Sequence, residues 1–255
     1  MLDRSHLDKM KGVLGYNLGQ VEKDYIQHMF LLQMYKNIKD ELVFKGGTCL
    51  QKIFGLDRFS EDLDFTISGC VDMEKNLDRS VRVLSRFGCQ AEVTRIIEDD
   101  ISITAKIRVR GPLYNGSEMS LCSLRLEASK REKILLAPVT KRISPIYEDL
   151  PFYSLSAMSI EEILAEKVRA LLTRNKARDL YDLFYLAIKD VDVRVDVIEK
   201  KLEYYDMHLD RDALKKSIFD KKKIWKPELR PLTPQLPDFE EVEKVIIDSI
   251  SKNID

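Results

Sequence analysis

The chain has 255 residues, of which 44% are apolar and 33% charged, and its formal net charge at pH 7 is −1. A chain of this length can bury a sizeable core, as one large domain or as two smaller ones. The net charge excludes a global attraction to nucleic acid, so any contact with RNA has to use a local basic patch. No run of about 18 apolar residues is present, so we expect no membrane span.

The cysteines and histidines argue against zinc, disulfide or histidine-based chemistry. The four cysteines lie far apart and form no CxxC pair, which predicts free cytosolic thiols. Only three histidines are present, and His28, at helical spacing from Tyr25 and Leu32, is expected to pack in the interior. The N-terminal segment lacks the apolar core of a signal peptide, so we expect a cytoplasmic protein.

The first elements lead from helices into a glycine turn. Apolar stripes over residues 3–39 predict one or two amphipathic helices. A short strand, the residues Gly46-Gly47-Thr48 and a brief helix are predicted next. Glycine allows a close backbone approach, and the N–H groups at a helix start favour an anion, so this turn is a candidate phosphate site. The alternative is an ordinary turn, since the spaced second glycine and the Lys-Ser/Thr pair of a Walker loop are missing.

The strand that follows carries a polar face. Arg58, Ser60, Asp62 and Asp64 recur at period two, and apolar residues occupy the other face. Aspartate is depleted in strands, so two on one face indicate a divalent metal. Carboxylates at i and i+2 are roughly 6.5–7 Å apart at Cα, which lets their oxygens converge on one ion or bridge two. Ser60 is expected to bond a phosphate or orient Asp62, and Arg58 to do likewise or to lock the loop through a neighbouring acidic residue.

Two alternating segments further on predict an antiparallel pair of strands, over 101–109 and 121–129. The polar face of the second strand carries Glu127. One interpretation of Glu127 is a cross-strand ion pair with Lys106 or Arg108, which are on the polar side of the facing strand.

A connector with three prolines, over residues 137–158, predicts a domain boundary, with one domain at 1–150 and a helical domain at 151–255. Ser159 begins a helix, and Glu162 completes a capping box. Lys167 lies within or beside the apolar stripe of this helix, so its ammonium has to reach solvent or meet an anion.

The next helix, over 176–189, places Asp179 and Asp182 on one face. These carboxylates could orient Lys167 or the sugar of a nucleotide, whereas Arg178 and Asp182 could simply form an i, i+4 pair.

Two basic clusters could provide the local patch that RNA requires. One is Lys130, Arg131 and Lys133, and the other is the lysine run over 215–223 before Trp225. Such runs are often solvated faces, but lysines beside an aromatic residue can also guide the phosphates of a polynucleotide. Prolines between 227 and 237 predict an extended arm, followed by a last helix.

The order and spacing of these motifs resemble a known superfamily. Gly46-Gly47-Thr48, thirteen residues, and then Asp62-Leu63-Asp64-Phe65 resemble the nucleotidyltransferases related to DNA polymerase beta. The blocks Arg58-x-Ser60-x-Asp62-x-Asp64, Glu166-Lys167 and Arg178-Asp179-Leu180-Tyr181-Asp182-Leu183 are similar to the AbiEii/AbiGii toxin branch. The resemblance covers roughly residues 40–190.

This resemblance implies roles for particular residues. Glu127 would be the third carboxylate, acting as general base or helping to hold the metal, and Lys167 would bind the triphosphate. The catalytic set that it implies is Asp62, Asp64, Glu127, Lys167 and Asp179. The nucleotide-binding set is Gly46, Gly47, Thr48, Ser60 and Lys167, and the metal ligands are Asp62 and Asp64.

We therefore predict an α/β fold, with a small mixed β-sheet core flanked by helices and a mainly α-helical C-terminal domain that completes the active-site cleft. The predicted reaction moves a nucleoside monophosphate from an NTP to an acceptor hydroxyl, with Mg²⁺ (or Mn²⁺) as cofactor. The resemblance implies an RNA acceptor, the 3′ end of a tRNA, and a toxin with a separately encoded helix-turn-helix antitoxin. Transfer to a protein or a small molecule, and a non-catalytic binding module of the same fold, remain alternatives.

Overall fold

The computed structural model describes residues 2–251, which divide into two compact units. The sheet unit comprises the residues up to Ile53, Phe59–Ile134 and Pro138–Ala157. The helical unit comprises Phe54–Arg58, Leu135–Ala137 and the residues from Met158 onward.

Within the described residues, the sheet unit contains a seven-stranded mixed sheet in the order β3-β4-β5-β2-β1-β7-β6. Its strands are β1 (Leu42–Lys45), β2 (Leu63–Ile67), β3 (Gln90–Glu98), β4 (Ser102–Arg110), β5 (Cys122–Ser129), β6 (Val139–Ile143) and β7 (Tyr153–Ala157). The pairs β2–β5 and β1–β7 are parallel, and the other neighbours are antiparallel. The predicted α/β class with a mixed sheet is confirmed.

Three of the strands lie outside the sequence prediction. β3 and β6 are the two edges of the sheet and are exposed at most positions, so neither shows the alternation that predicts a strand. β7 is buried at nearly every position and belongs to the segment predicted as a connector. A short, almost continuously buried strand likewise carries no period of two.

In the described part of the chain, the sheet unit also contains α1 (Arg4–Leu14), α2 (Leu18–Met34), α4 (Met73–Arg86) and all but the last residue of α3 (Gly46–Phe54). The helical patterning over 3–39 thus forms two helices. The Asp3 side chain caps α1, and Gly15 ends it in the left-handed conformation at φ 69°. Asn17 and Gln20 then form a capping box at the start of α2.

A buried polar cluster joins α2 to α3. The Asp24 carboxylate lies 2.7 Å from the Lys52 ammonium and accepts a hydrogen bond from the Tyr147 hydroxyl. His28, one turn after Asp24, is buried and bonds the Tyr153 hydroxyl through Nδ1 at 2.8 Å. The expectation that His28 packs in the interior is confirmed. Because both charges are buried as a hydrogen-bonded pair, α3 is fixed against the long helix α2.

The helical unit contains α5 (Ile160–Thr173), α6 (Ala177–Ile188), α7 (Val195–Glu203), α8 (Arg211–Asp220), α9 (Lys222–Leu229) and α10 (Phe239–Ser251). Ser159 caps α5, but the capping box is only half formed, since the Glu162 carboxylate accepts hydrogen bonds from Leu135 and Leu136 instead. The extended arm predicted from Pro227 onward is wrong in its first part, because Pro227 lies inside α9. One proline removes a single backbone hydrogen bond, and the buried Trp225 anchors the helix.

Across residues 2–251, no helix combines the length and the apolar character needed to cross a membrane.

The buried His28 is expected to make stability depend on pH. Burial, reinforced by Lys52, lowers the pKa of His28 from its ordinary 6.5 to about 3, although Asp24 acts in the opposite direction. Below pH 6.5 the unfolded chain therefore binds a proton that the folded protein excludes, so stability falls on acidification down to about pH 3. We expect urea midpoints across this window to fall less steeply for His28→Gln than for the wild type. Equal slopes would contradict the assignment, and His208→Gln controls for the loss of an exposed histidine.

Candidate active site

Two acidic side chains lie next to each other on parallel strands of the sheet unit. Asp64 of β2 is in register with Glu127 of β5, and on its other side Asp64 faces Lys45 of β1. The preceding residues, Leu63 and Leu126, are fully buried, so both carboxylates occupy the opposite, polar face of the sheet. The sheet therefore brings two of the predicted catalytic carboxylates into one row.

The alternative ion pair predicted for Glu127 has the wrong partners. Lys106 and Arg108 lie opposite Arg125 and Ser123, and the cross-strand neighbour of Glu127 is Thr104. The Glu127 carboxylate instead accepts a hydrogen bond from Arg125, two residues earlier on the same strand, at 3.2 Å. Since both side chains are exposed, this ion pair adds little to stability.

The glycine turn makes room for Asp64. Gly46 has φ +77°, and a Cβ on it would lie 2.4 Å from Asp64 Oδ2 and 3.0 Å from Asp64 Cβ. No other residue fits this backbone without displacing the carboxylate. Gly46 is also the first residue of α3, where the helix dipole favours negative charge. The sequence predicts that Gly46 allows a phosphate to approach the backbone closely. In the structure the group that lies against Gly46 is the Asp64 carboxylate.

The segment that carries Ser60 and Asp62 is a tightly held loop, and the strand begins only at Leu63. The prediction of an extended strand from residue 58 is wrong. The buried Thr48 hydroxyl donates to the Asp62 carbonyl oxygen and lies 2.9 Å from the Ser60 hydroxyl. The backbone N–H of Ser60 donates to Gln51 of α3. Side-chain hydrogen bonds replace the ladder bonds that a strand would have supplied.

Gln27 and Gln51 are positioning residues that the sequence analysis missed. The Gln27 amide of α2 donates to the carbonyl oxygens of Ser60 and Glu61, at 3.0 and 2.9 Å. Gln51 follows Thr48 by three residues, so the two share a helix face, and this spacing could have identified it. Gln27 lies in a helix that is buried almost throughout, and nothing in its spacing marks it.

The chemistry of Asp62 and Asp64 suits a hard divalent cation. Asp62 and Asp64 supply carboxylate oxygens, and Asp64 is seated by Gly46. Over residues 2–251, no group of three or more His, Cys, Asp or Glu side chains is arranged to hold a metal ion. Mg²⁺ commonly binds through one or two protein carboxylates and completes its shell with waters and substrate phosphates. Two carboxylates therefore fit Mg²⁺ together with a triphosphate.

The helical unit holds the other predicted site residues in a buried ionic cluster. Lys167 of α5 contacts Asp179 at 3.0 Å and Asp182 at 2.6 Å, both on α6. Arg174 makes two hydrogen bonds to Asp179, and Arg58 makes two to Asp182. Burial raises the pKa of Asp179, but Lys167 and Arg174 outweigh it and hold this pKa well below its ordinary value.

This geometry revises two of the predicted ion pairs. Asp179 and Asp182 do share one face and contact Lys167. Asp182, however, pairs with Arg58, and this contact joins residues far apart in the chain. Asp57, the neighbour of Arg58 in sequence, accepts a hydrogen bond from the Tyr181 hydroxyl at 2.8 Å.

A family model described as nucleotidyl transferase AbiEii toxin, type IV TA system, matches residues 31–245. The chain belongs to this family. AbiEii proteins are nucleotidyltransferase toxins, so NTP is the substrate class and an antitoxin is the partner of the system. The predicted family, fold class and transferase activity are thereby confirmed.

Solved structures share the fold of this chain. The mycobacterial toxin MenT4 (Rv2826c, Mycobacterium tuberculosis H37Rv), a nucleotidyltransferase, has 18% identity and a TM-score of 0.65, with 100% of this chain and 91% of that chain covered. JHP933 from Helicobacter pylori has 21% identity and a TM-score of 0.60, with coverage of 92% and 91%. A search of curated proteins gave no match. At these identities the structural likeness establishes the fold alone.

The contact between Gly46 and Asp64 generates a direct test. Gly46→Ala places a methyl group where the carboxylate lies, in a backbone conformation that alanine disfavours. We expect nucleotidyl transfer to fall by about 100-fold, since displacing a reacting group by about 1 Å has an effect of this order. Gly12→Ala is the matched control, because a Cβ there meets nothing within 4 Å. Full activity of Gly46→Ala, with an unchanged circular dichroism spectrum, would contradict the role of this contact.

Proposed function

We propose that this AbiEii protein transfers a nucleoside monophosphate from an NTP to a hydroxyl at the 3′ end of an RNA, of which tRNA is the leading candidate. The reaction depends on a divalent metal, Mg²⁺ or Mn²⁺, at Asp62 and Asp64. The proposal includes a cytoplasmic site of action, where NTPs and RNA are both abundant, and a separately encoded helix-turn-helix antitoxin.

The observation that carries the proposal is the row formed by Asp64 and Glu127, with Asp64 seated against Gly46. Neighbouring parallel strands lie roughly 4.8 Å apart, so the two carboxylates can act on one substrate. Structural pairing alone gives no reason to place two carboxylates side by side, because like charges in register oppose folding. A cation and a triphosphate between them would remove that penalty.

In the proposed mechanism Asp62 and Asp64 would hold the divalent cation, which would supply positive charge to offset the negative charge on the phosphates. Glu127 accepts the proton of the acceptor hydroxyl, whose oxygen attacks the α-phosphorus in line. A new phosphodiester bond forms, the bond from the α-phosphorus to the bridging oxygen breaks, and pyrophosphate leaves. Ser60 and the backbone N–H groups at Gly46 and Gly47 are candidates to bind phosphate oxygens.

Thr48 takes a different role from the phosphate contact first expected. Its hydroxyl is buried and bonds the loop of Ser60 and Asp62. We therefore propose that Thr48 holds Asp62 in place, and that its contribution to nucleotide binding is the backbone N–H.

The metal pair is tested with purified protein, total RNA and each labelled NTP in turn. We expect label on RNA with Mg²⁺, none after chelation by EDTA, and none with Asp62→Asn or Asp64→Asn. These changes also relieve carboxylate repulsion, so thermal stability should be kept or raised. Retained transfer in both variants would falsify the metal assignment. Label on protein or on a small molecule, with RNA untouched by all four NTPs, would replace the RNA acceptor.

Lys167 and Asp179 enter the proposal as residues of the helical unit, supported by the family motif. Lys167→Met would leave Asp179 and Asp182 with one cation fewer in a buried setting, where breaking an ion pair lowers stability by about 3–5 kcal/mol. If Lys167 also contacts the triphosphate, the variant loses a charged hydrogen bond to the substrate as well. Such a bond contributes about 1.5–3 kcal/mol to NTP binding, so KM for NTP should rise by at least about tenfold.

Kinetics measured below the melting temperature of Lys167→Met separate the structural role of Lys167 from a role in NTP binding. Lys167→Arg, which keeps the charge, should recover much of the NTP affinity, and Lys200→Met provides a control at an exposed lysine of the same unit. An unchanged KM for NTP in a destabilised Lys167→Met protein would show that Lys167 is purely structural.

A further inference from the structure

We propose that an open groove on the polar face of β3, β4 and β5 binds the phosphodiester backbone of the acceptor RNA. This inference rests on the proposed function and names the surface that holds the acceptor. The groove has a volume of about 370 Å³, and Asp62 is part of its lining. Its cationic lining residues are Lys23, Arg95, Lys106 and Arg125.

Three of these cations form a row across the sheet. Lys106 of β4 is directly opposite Arg125 of β5 on one side and Arg95 of β3 on the other. Like charges directly opposite each other on neighbouring strands destabilise a sheet. Three neighbouring cations therefore repel one another and oppose folding. An anion bound along the row would attract all three and offset that repulsion.

A β-bulge is responsible for the position of Arg95. The register between β3 and β4 shifts between Val93 and Arg95, which leaves Thr94 without a position in the ladder. The Thr94 hydroxyl donates to the Lys106 carbonyl oxygen at 3.1 Å. With a continuous register Thr94 would face Lys106, so the bulge brings Arg95 onto the polar face beside it. Bulges are frequent next to active sites, where they re-aim a side chain in this way.

Two of the four cations in the groove, Arg95 and Lys106, are not engaged with a carboxylate of the described residues. Arg125 is paired with Glu127 and Lys23 with Glu61. Arg95 and Lys106 are exposed, and neither forms an ion pair with any other residue between 2 and 251. The groove therefore offers an anion two cations that need not first leave a carboxylate.

The row of Arg95, Lys106 and Arg125 is placed to contact the RNA strand that carries the acceptor hydroxyl. Two residues further along the strands, the next row contains Thr104 of β4, Glu127 of β5 and Asp64 of β2. The two rows are therefore separated by roughly 6.5–7 Å. A terminal nucleotide spans this kind of distance, with its phosphate on the cations and its 3′ hydroxyl at the Glu127 carboxylate.

Some lysines of the basic clusters expected from the sequence are engaged in contacts within the protein. The Lys130 ammonium is bonded to the Glu98 carboxylate at 2.5 Å and to the Asp99 carbonyl oxygen. In the second cluster Lys222 is paired with Glu240, and Lys221 is buried with its ammonium on the Leu171 carbonyl oxygen. Lys215, Lys216 and Lys223 remain exposed, so the position of the groove, beside Asp62 and in the unit that carries Asp64 and Glu127, is what favours it as the RNA surface.

The test measures RNA binding without turnover, in the full chain carrying Asp64→Asn. The probe is a short fluorescein-labelled single-stranded RNA with a free 3′ hydroxyl, titrated at several salt concentrations. For single strands the slope of log K against log salt changes by about 0.7 per phosphate contact, so Arg95→Gln/Lys106→Gln should make it shallower by about 1.4. The control, Arg82→Gln/Arg110→Gln, removes the same charge from exposed positions of the sheet unit and should keep the original slope.

A second measurement uses the same double variants in the catalytically intact chain. We expect Arg95→Gln/Lys106→Gln to raise KM for RNA and to leave KM for NTP unchanged. A rise in KM for NTP alone would overturn the groove as an acceptor site and assign its cations to the triphosphate.

The remaining outcomes separate the groove from the proposed function. If the intact chain labels RNA and both double variants bind and react like it, the groove is wrong and transfer to RNA stands. If the intact chain neither binds nor labels RNA, the groove and the RNA acceptor fail together. Weaker RNA binding after Lys216→Gln/Lys223→Gln alone would move the surface to the helical unit.

Discussion

The contact between Asp64 and Gly46 is the constraint on which the candidate site depends. The Asp64 carboxylate occupies the space that any side chain at position 46 would need, at a backbone φ that favours glycine. This contact joins the first residue of α3 to β2, the strand that pairs with β5. The glycine motif and the aspartate motif are therefore sterically coupled, since Gly46 leaves the space that the Asp64 carboxylate occupies.

A network of buried amide and hydroxyl groups holds the remainder of the site. Gln27 reaches the Ser60 loop from α2, and Thr48 and Gln51 reach it from α3. The ion pair of Asp24 and Lys52 fixes those two helices to each other. Buried networks of this kind are costly when incomplete, so a change in any one member propagates to Asp62. Such rigidity suits transfer chemistry, which depends on the placement of groups within fractions of an ångström.

Sequence reasoning identified the elements with strong periodicity and the residues with unusual chemistry. The patterns of α4, β4 and β5 predict helix and strands close to their observed bounds, and Asp62, Asp64 and Glu127 stand out because charged residues interrupt a strand pattern. Along the exposed edge strand β3 the alternation of polar and apolar residues covers only residues 90–93, which is too short to predict a nine-residue strand. The loop at 59–62 alternates polar and apolar residues, which predicts a strand, but its hydrogen bonds come from the side chains of Gln27, Thr48 and Gln51.

Contacts between residues far apart in the chain also could not be predicted from the sequence. Arg58 has acidic neighbours at positions 57 and 61, so local spacing predicts a local ion pair, whereas its partner Asp182 lies 124 residues away. Loop-closure entropy permits such distant pairs once packing has paired their elements, and no local pattern records them. The row of Arg95, Lys106 and Arg125 is invisible for the same reason, since it exists only in the register of three strands and through one bulge.

The family motifs can now be divided by the physical work that their residues do. Arg58 and Asp182 belong to sequence blocks far apart in the chain, and they form one buried ion pair to which Lys167 and Asp179 are joined. The Asp57–Tyr181 hydrogen bond links the same two blocks a second time. These four contacts are internal to the helical unit and are explained by burial and charge compensation. Asp62 and Asp64, in contrast, are partly exposed residues of the sheet unit. Gly46 leaves room for Asp64, and Thr48, Gln27 and Gln51 hold the loop that carries Asp62. A motif that appears uniform in sequence thus combines a buried ionic cluster in the helical unit with an acidic pair in the sheet unit that no ion pair of this cluster reaches.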